Sequence, residues 1–222
     1  MRRTARIDLS ALAANLSAIL AEDGSFVLDA RANAFGHGIL PVVRTALDVG
    51  VATIRVSPEQ SHLPGVKRSA LMTVQPKRRV VGAAAYGLDG ARTAVLTLVG
   101  EVIAVKHVKA DAGVSYGYSY RTASPTILAL VALGYADGVP RLASNRTFVS
   151  LAGETLPLVG RVAMDQFVVD CGAAQPAVGD DVVLFGDSGA GHPSAVDWAI
   201  QVERNALDLT AGLGSRIERV YS

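Results

Sequence analysis

The chain of 222 residues contains one cysteine, one tryptophan and three methionines, and only 18% of its residues are charged. A single cysteine, Cys171, excludes an internal disulfide and a cysteine-based structural zinc site. Because Cys171 lies in the segment 167–171, which is typical of a strand, we predict that it is a small buried side chain of that strand. The histidines lack the spacing of metal ligands, and we therefore predict no metal site.

Neither sign of charge is in excess. The chain has 21 Lys and Arg against 20 Asp and Glu, a formal net charge of +1. Nucleic acid and anionic membranes require a basic surface on their partner, and the short basic stretches at 67–68 and 77–79 are typical of a solvated linker. No run of 18 uncharged apolar residues is present, and no apolar signal segment follows the basic N-terminus. We expect no nucleic-acid partner, no membrane partner and a cytoplasmic location.

Half of the residues are hydrophobic, which is enough for a buried core. Up to about residue 75 the pattern alternates between strand and helix, which predicts a parallel sheet with right-handed crossovers. We predict strands at 5–9, 25–30, 51–56 and 70–74, a helix capped by Ser10, a helix that follows Gly38 and ends before Gly50, and a helix start at Ser57-Pro58 that Pro64-Gly65 soon interrupts.

The second half of the chain has a different pattern. Short strands are separated by turns that contain Gly, Pro, Asn and Asp, which is typical of an antiparallel β-domain. We predict strands at 95–109, 126–133, 147–151, 155–162, 166–171, 181–185 and 215–221, with one helix at 194–203.

Several short motifs are weak signals individually but specific when they occur in this order. The segment Arg31-Ala-Asn-Ala-Phe-Gly-His-Gly38 follows a predicted strand and precedes a helix, where backbone amides can meet an anion. In their order along the chain, the motifs resemble those of the alanine racemases, over residues 5–60 and about 80–222. The motifs are Arg6–Leu9, Arg31–Gly38, Ser57–Gln60, Tyr86–Leu88, Val114–Gly117, Gly134–Arg141, Val159–Gln166 and Ser215–Tyr221.

The resemblance implies a fold that is α/β plus all-β. Alanine racemases have an eight-stranded (β/α) barrel and a C-terminal β-domain, but fewer than 80 residues separate Ile7 from Tyr86, which is room for about three βα units of ~25–30 residues. We therefore predict an incomplete (β/α) barrel remnant at 5–90, whose first strand is free to join the next domain, and an alanine-racemase-like antiparallel β-domain at 91–222. An open remnant leaves unpaired sheet edges, which a partner or a rearrangement must cover.

The resemblance also implies a function. The family interconverts L-alanine and D-alanine, for cell-wall precursor supply, with pyridoxal 5′-phosphate (PLP) as cofactor, and its active sites are shared across a head-to-tail dimer. A barrel lysine forms the Schiff base, and a tyrosine from the other subunit is the second acid/base group. In this chain Tyr116 stands at the tyrosine base position, and Met164 with Asp165 stands at the turn that contacts the substrate carboxylate.

The positions that would hold the chain's own cofactor depart from the family. Arg31 stands where the Schiff-base lysine is expected, and a guanidinium stays protonated and cannot form a stable aldimine. Phe35 and Leu207 stand where two phosphate-binding tyrosines are expected. We therefore expect that PLP is not bound covalently.

Three functional hypotheses remain open from the sequence. The chain is an inactive member that forms a homodimer, or a heterodimer with a full-length racemase to which it donates Tyr116 and Met164. Alternatively, it is a residual alanine racemase that acts on alanine with non-covalently bound PLP, where Arg31 holds anions. The third hypothesis is a remnant without activity. In each case we predict structural roles for Asp137, Arg141, Arg216 and Arg219.

Overall fold

The structure, a computed structural model, describes residues 1–74 and 76–222. It consists of a small parallel sheet flanked by helices and a larger antiparallel domain. The predicted fold class, an incomplete (β/α) barrel followed by an antiparallel β-domain, is confirmed.

The first part of the chain contains short strands between helices. Its elements are β1 (Arg3–Ile7), α1 (Leu9–Asp23), β2 (Val27–Asp29), a helical turn α2 (Arg31–Phe35), α3 (Ile39–Asp48), β3 (Thr53–Arg55), β4 (Leu71–Met72) and β5 (Val80–Val81), with 3₁₀-helices at Pro58–Gln60, Arg68–Ala70 and Ala83–Tyr86.

The second part is rich in strands. Its elements are β6 (Leu96–Val108), β7 (Gly113–Val114), β8 (Tyr120–Arg121), β9 (Thr126–Val131), β10 (Phe148–Leu151), β11 (Glu154–Val159), β12 (Phe167–Asp170), β13 (Asp181–Phe185), α4 (Ala195–Gln201), α5 (Ala206–Ala211) and β14 (Glu218–Tyr221), with 3₁₀-helices at Tyr135–Asp137, Arg141–Ala143 and Ser188–Ala190.

The N-cap of helix α1 lies two residues before the predicted one. Asp8, and not Ser10, is the N-cap, because its extended backbone lets its carboxylate accept the Ala11 amide at 2.8 Å. Aspartate and serine cap helices about equally well, so the sequence alone could not choose between them. The predicted apolar face is confirmed, because Leu12 and Leu16 are fully buried.

The parallel sheet has the strand order β4-β3-β2-β5. Strand β5 comes last along the chain but pairs with β2, the first of the four. In a complete (β/α) barrel the last strand likewise closes on the first. The four strands are therefore a continuous arc of such a barrel, and β4 and β5 are its two open edges.

The β-domain is a closed sheet. Strands β13, β10, β11, β12, β9 and β6 pair in this order, and β6 pairs back to β13. Strand β1 extends this sheet, since it pairs antiparallel with β6 and parallel with β14. The fully buried Trp198 anchors α4 to the domain through its indole N–H, which donates to the Phe148 carbonyl at 2.8 Å.

Some local expectations differ from the structure. The helix predicted after Ser57 is only a single 3₁₀ turn, because Pro64 and Gly65 follow within a few residues. Helix α5 and the two-residue strands β5, β7 and β8 are additional to the elements predicted from the sequence. Cys171 is buried as predicted, although it lies just after β12, and burial raises its pKa to about 11.

Two negative findings concern the described ranges 1–74 and 76–222. No helix there has both the length and the apolar character to cross a bilayer. No group of three potential metal-ligating side chains lies together in the same ranges.

Asp137 connects three segments of the β-domain and provides a test of the fold. Its buried carboxylate accepts the Gly134 amide and the Arg216 Nε, each at 2.9 Å, and lies 3.4 Å from Arg3 Nε. Removal of one partner leaves the others buried and unpaired. We expect Asp137→Ala to lower the free energy of unfolding in urea by about 3 kcal/mol.

The matched control is Asp111→Ala, because that carboxylate pairs with Arg121 but is 83% exposed. We expect its effect to stay below about 1 kcal/mol. Equal effects of the two substitutions would contradict the structural role of Asp137.

Candidate functional site

The Arg31–Gly38 motif forms a left-handed helical turn at the carboxyl end of β2. Ala32, Asn33, Ala34 and Phe35 have φ values of 49–57°. Residues other than glycine rarely adopt this region, and each such residue adds strain. Backbone hydrogen bonds of 3.0 Å, from Ala34 to the Ala30 carbonyl and from Gly36 to the Ala32 carbonyl, hold the turn. The surroundings must supply the rest of the stabilisation.

Arg31, at the start of this turn, is paired with Asp29. Its Nε lies 2.8 Å from Oδ1 and its Nη2 lies 2.6 Å from Oδ2, so the guanidinium occupies both carboxylate oxygens. Hydrogen bonding to Asp29 raises the pKa of Arg31 above its ordinary value, against the opposing effect of burial. Arg55, at the end of the neighbouring β3, contacts the same carboxylate from 3.8 Å. Two guanidiniums therefore share one carboxylate at the carboxyl end of the sheet.

Aromatic side chains pack beside the cluster of Arg31, Asp29 and Arg55. The buried Tyr86 hydroxyl donates to the Asp29 carbonyl at 2.9 Å. The Tyr86 ring centroid lies 5.7 Å from that of Phe35 and 4.6 Å from that of His37. Phe35 therefore fills space beside Tyr86, and its hydroxyl-free ring donates no hydrogen bond.

His37 is fully buried in the turn. Its Nδ1 lies 2.9 Å from the Ala34 carbonyl oxygen and 3.1 Å from that of Phe35, which places the ring proton on Nδ1. Its Nε2 is also buried and has no hydrogen-bond partner within the residues that the structure describes. Burial disfavours the imidazolium and lowers the pKa of His37 to about 4. The side chain is therefore neutral in the folded protein at neutral pH.

The C-terminal segment holds the turn against the β-domain. Arg219 Nε donates to the Gly36 carbonyl at 2.9 Å, while its other donors reach carbonyls in the segment 213–217. A Cβ on Gly36 would lie 1.9 Å from the Thr210 carbonyl oxygen, so α5 packs directly on the turn. Leu207, a partly buried residue of α5, packs against the hydrophobic core. The structure thus brings the helix that carries Leu207 to the turn that carries Arg31 and Phe35.

The remaining predicted residues form a second group on the β-domain. The Tyr116 hydroxyl donates to the Val162 carbonyl at 3.1 Å, just before the Met164–Gln166 turn. The Arg161 guanidinium carbon lies 5.7 Å from the Tyr116 ring centroid. Tyr116 is 46% exposed and Met164 is 53% exposed. Tyr116 and the turn with Met164 and Asp165 therefore form one accessible surface.

Asp165 also belongs to this second group, and an ion pair fixes the position of its carboxylate. Its carboxylate pairs with Arg216 Nη1 at 2.6 Å, and Arg216 also binds the buried Asp137. The Met164 carbonyl accepts the Ala136 amide at 3.0 Å, which fixes the turn. These contacts agree with the structural roles predicted for Asp137 and Arg216, and those of Arg219 agree likewise.

The two groups are separate within one chain. In the described ranges, no hydrogen bond or ion pair joins Arg31, Phe35 or Leu207 to Tyr116, Met164 or Asp165. The guanidinium carbon of the exposed Arg141 lies 5.8 Å from the Tyr135 ring centroid, and within the described residues its side chain makes no hydrogen bond or ion pair with either group. It lines an open cavity of about 380 Å³ that lies beside α5 and also borders Asp208.

Sequence reasoning missed Asp29 and Arg55. Both are charged residues at the ends of short strands, and the carboxyl ends of neighbouring parallel strands lie together. Their charges at the strand ends were visible in the sequence, but the pairing of β2 with β3 that brings them together was not. The cluster they form with Arg31 is suited to binding an oxyanion, because guanidiniums supply charge and paired donors.

The residues present do not fit an aldehyde cofactor held through a Schiff base. Arg31 remains charged and bound to Asp29, and the four lysines of the chain, Lys67, Lys77, Lys106 and Lys109, are all exposed. Lys67 and Lys77 precede β4 and β5 and so lie toward the amino ends of the parallel strands. Nothing in these positions supplies a primary amine at the carboxyl end of β2.

The sequence of the chain matches a known family model and known relatives. The family model described as "Alanine racemase, C-terminal domain" matches residues 95–221. The chain is 42% identical over 158 residues to the alanine racemase of Streptomyces coelicolor, a match that covers 71% of this chain and 39% of that protein. The chain therefore spans about two fifths of the length of this curated relative.

Solved structures agree on the fold. The alanine racemase of Streptomyces lavendulae superposes with a TM-score of 0.88 at 26% identity, over 100% of this chain and 97% of that chain. The alanine racemase of Bartonella henselae, solved with covalently bound pyridoxal phosphate, superposes with a TM-score of 0.84 at 18% identity, over 100% of both chains.

The buried His37 predicts a pH dependence of stability. An unfolded histidine binds a proton near pH 6.5, whereas folded His37 resists protonation down to about pH 4. The stability that neutral His37 contributes is therefore complete above pH 6.5 and decreases as the pH falls toward 4. The total loss is about 3 kcal/mol.

We expect His37→Asn, whose amide can donate like Nδ1, to make the unfolding free energy less dependent on pH between 6.5 and 4. The slope should decrease by the contribution of about one bound proton. Urea denaturation across this range measures the slope. The control is His62→Asn, which makes the same substitution at an exposed histidine. A wild-type slope in the His37 variant would show that His37 titrates normally in the folded protein.

Proposed function

The chain belongs to the alanine racemase family, and we propose that it is a member without racemase activity of its own that acts as a dimerising partner of a complete racemase. In this proposal the chain donates Tyr116 and the Met164–Asp165 turn to the partner's active site, which supplies the lysine and the cofactor. Alanine is then the substrate of the assembled site, and this chain's own cofactor position stays inactive.

The observation that carries the inactive half of the proposal is the Arg31–Asp29 pair. A Schiff base needs a neutral primary amine, and Arg31 is a guanidinium with both oxygens of a carboxylate bound to it. The missing hydroxyl of Phe35 and the leucine at 207 remove two further contacts that the family resemblance assigns to the cofactor phosphate. The sheet also ends at β4 and β5, so the remaining strands of a complete barrel are not present among the described residues.

The donating half of the proposal is supported by the second group. Tyr116 is exposed while its hydroxyl is oriented by the Val162 carbonyl, and Met164 presents an exposed side chain on a fixed turn. The Met164 amide makes no hydrogen bond within the described parts of the chain, so its N–H is available to a carboxylate. A homodimer has no lysine at either Arg31 position, whereas a heterodimer has one complete site. This difference supports a heterodimer as the catalytic form in our proposal.

Cofactor trapping tests the inactive half. The purified chain is incubated with PLP, reduced with borohydride, digested and mapped by mass spectrometry. We expect no adduct at residue 31 in the wild-type chain, and at most scattered modification of the four exposed lysines. We also expect Arg31→Lys to restore no racemase activity, because the open sheet lacks the remaining barrel strands.

The Streptomyces lavendulae enzyme serves as the positive control for both the trapping and the D-alanine assay. Racemase activity of the purified wild-type chain with added PLP would instead support the residual enzyme with non-covalent cofactor. Racemase activity of the Arg31→Lys variant without a partner would show that the chain forms more of the barrel than the four parallel strands. Either result would overturn the proposal.

A complementation experiment tests the donating half. The Streptomyces coelicolor racemase is first inactivated by changing its own catalytic tyrosine to phenylalanine, and it is then mixed with this chain. We expect activity to appear on mixing, because a heterodimer pairs the partner's lysine with Tyr116. Tyr116→Phe in this chain should reduce the recovered activity by about 100-fold or more, as loss of a general acid/base group does.

The matched control is Tyr118→Phe, a neighbouring tyrosine that is 64% exposed. We expect it to complement as well as the wild-type chain. Native mass spectrometry of the same mixtures reports the heterodimer directly. A chain that stays homomeric beside excess partner, or that complements equally with Tyr116→Phe, would contradict the donating role.

A further inference from the structure

Arg55 has a nearly buried guanidinium that makes no hydrogen bond with the residues that the structure describes. Its side chain is only 15% exposed, and its Nε is buried without a partner within residues 1–74 and 76–222. The only carboxylate within ion-pair distance of it in the same ranges is Asp29, at 3.8 Å. Buried polar groups are almost always hydrogen-bonded, and an arginine carries five N–H donors. Arg55 therefore has N–H donors that the described part of the chain leaves unused.

Asp29 cannot satisfy Arg55 because Arg31 already occupies it. Arg31 Nε and Nη2 hold the two Asp29 oxygens at 2.8 and 2.6 Å, in the bidentate geometry that is strongest for arginine. One carboxylate thus balances one of the two guanidiniums. The cluster carries a net charge of +1, and the uncompensated charge lies on the more buried of the two arginines.

The cluster lies where a parallel sheet presents ligands. Asp29 and Arg55 end the adjacent strands β2 and β3 in register, and open α/β sheets bind ligands outside the carboxyl ends of their strands. Arg31 is 44% exposed, which gives access from solvent. Ser57 lies beside the cluster, since its Oγ accepts the Ala32 amide at 3.2 Å and keeps its own proton to donate.

We propose that Arg55, Arg31 and Ser57 form a binding site for a small oxyanion, a phosphate or a carboxylate group, at the carboxyl ends of β2 and β3. Arg55 supplies the unused N–H donors and the uncompensated positive charge. Arg31 supplies its remaining Nη1 donors and lies on the side of the site that is exposed to solvent. Asp29 fixes the orientation of Arg31. The site rests on these residues alone and does not depend on whether the chain associates with a racemase.

Arginine side-chain NMR tests the site on the full chain. The Nε–H signals of Arg55 and Arg31 are followed during titration with inorganic phosphate, and separately with acetate, at constant ionic strength maintained with chloride. We expect a saturable shift of the Arg55 signal with at least one of the two oxyanions. The stronger of the two responses identifies whether phosphate or carboxylate is the preferred ligand.

Variants locate the site. We expect Arg55→Gln to weaken the binding of the oxyanion by about tenfold or more, since it removes a charge-assisted donor pair. Arg44→Gln makes the same change of charge on the exposed face of α3 and should leave the affinity unchanged. If Arg55→Gln does not fold, Arg31→Gln replaces it and should weaken binding in the same direction.

Two results would overturn the proposal. One is the absence of a saturable shift with either oxyanion in the wild-type chain, which would mean that water satisfies Arg55. The other is equal affinity in the wild-type chain and in the folded Arg55 or Arg31 variant. Neither result bears on the racemase complementation, which depends on Tyr116.

Discussion

The ion pair of Arg31 with Asp29 determines what the carboxyl end of the parallel sheet is able to do. Asp29 ends β2, and two residues later Arg31 turns back to hold both of its oxygens. A lysine in the same place would be free to lose its proton and react as an amine, whereas the paired guanidinium is fixed in its charged form. Arg55 adds a second positive charge on the adjacent strand. These charges suit the oxyanion binding that we propose for this edge, and Arg31 offers no amine for a Schiff base.

The left-handed turn that carries Arg31 depends on contacts from distant parts of the chain. Four consecutive non-glycine residues with positive φ are stable only when their surroundings hold them. Tyr86 and His37 pack against the turn, and Arg219 binds its Gly36 carbonyl. These contacts connect the arc of parallel strands to the C-terminal segment. The turn thus remains folded although the barrel around it is incomplete.

The sequence predicted the elements that have clear patterns. The antiparallel strands, the apolar face of α1 and the limits of α3 follow from periodicity and from glycine and proline at their ends. Helix α5 was not anticipated, because it is only six residues long and its packing on the turn at Gly36 leaves no pattern in its own sequence. Strand β5 was missed for a similar reason, since two residues carry no periodicity.

The candidate site was predictable in part. The order of the motifs placed Tyr116 and the Met164–Asp165 turn on the β-domain and placed Arg31 after β2. In the structure Tyr116 lies beside the Met164–Asp165 turn. The interaction between Asp29 and Arg55 depends on which strands are neighbours, and pattern alone does not determine strand pairing. The left-handed backbone of residues 32–35 was equally hidden, because Ala and Phe give no signal for positive φ.

Growth of a bacterial strain that lacks alanine racemase and requires external D-alanine tests the central claim most directly. The account predicts that expression of this chain alone leaves the requirement for D-alanine intact, while the Streptomyces coelicolor racemase expressed in the same strain removes it. Growth without D-alanine on this chain alone would show that it racemises alanine by itself, and would contradict the account.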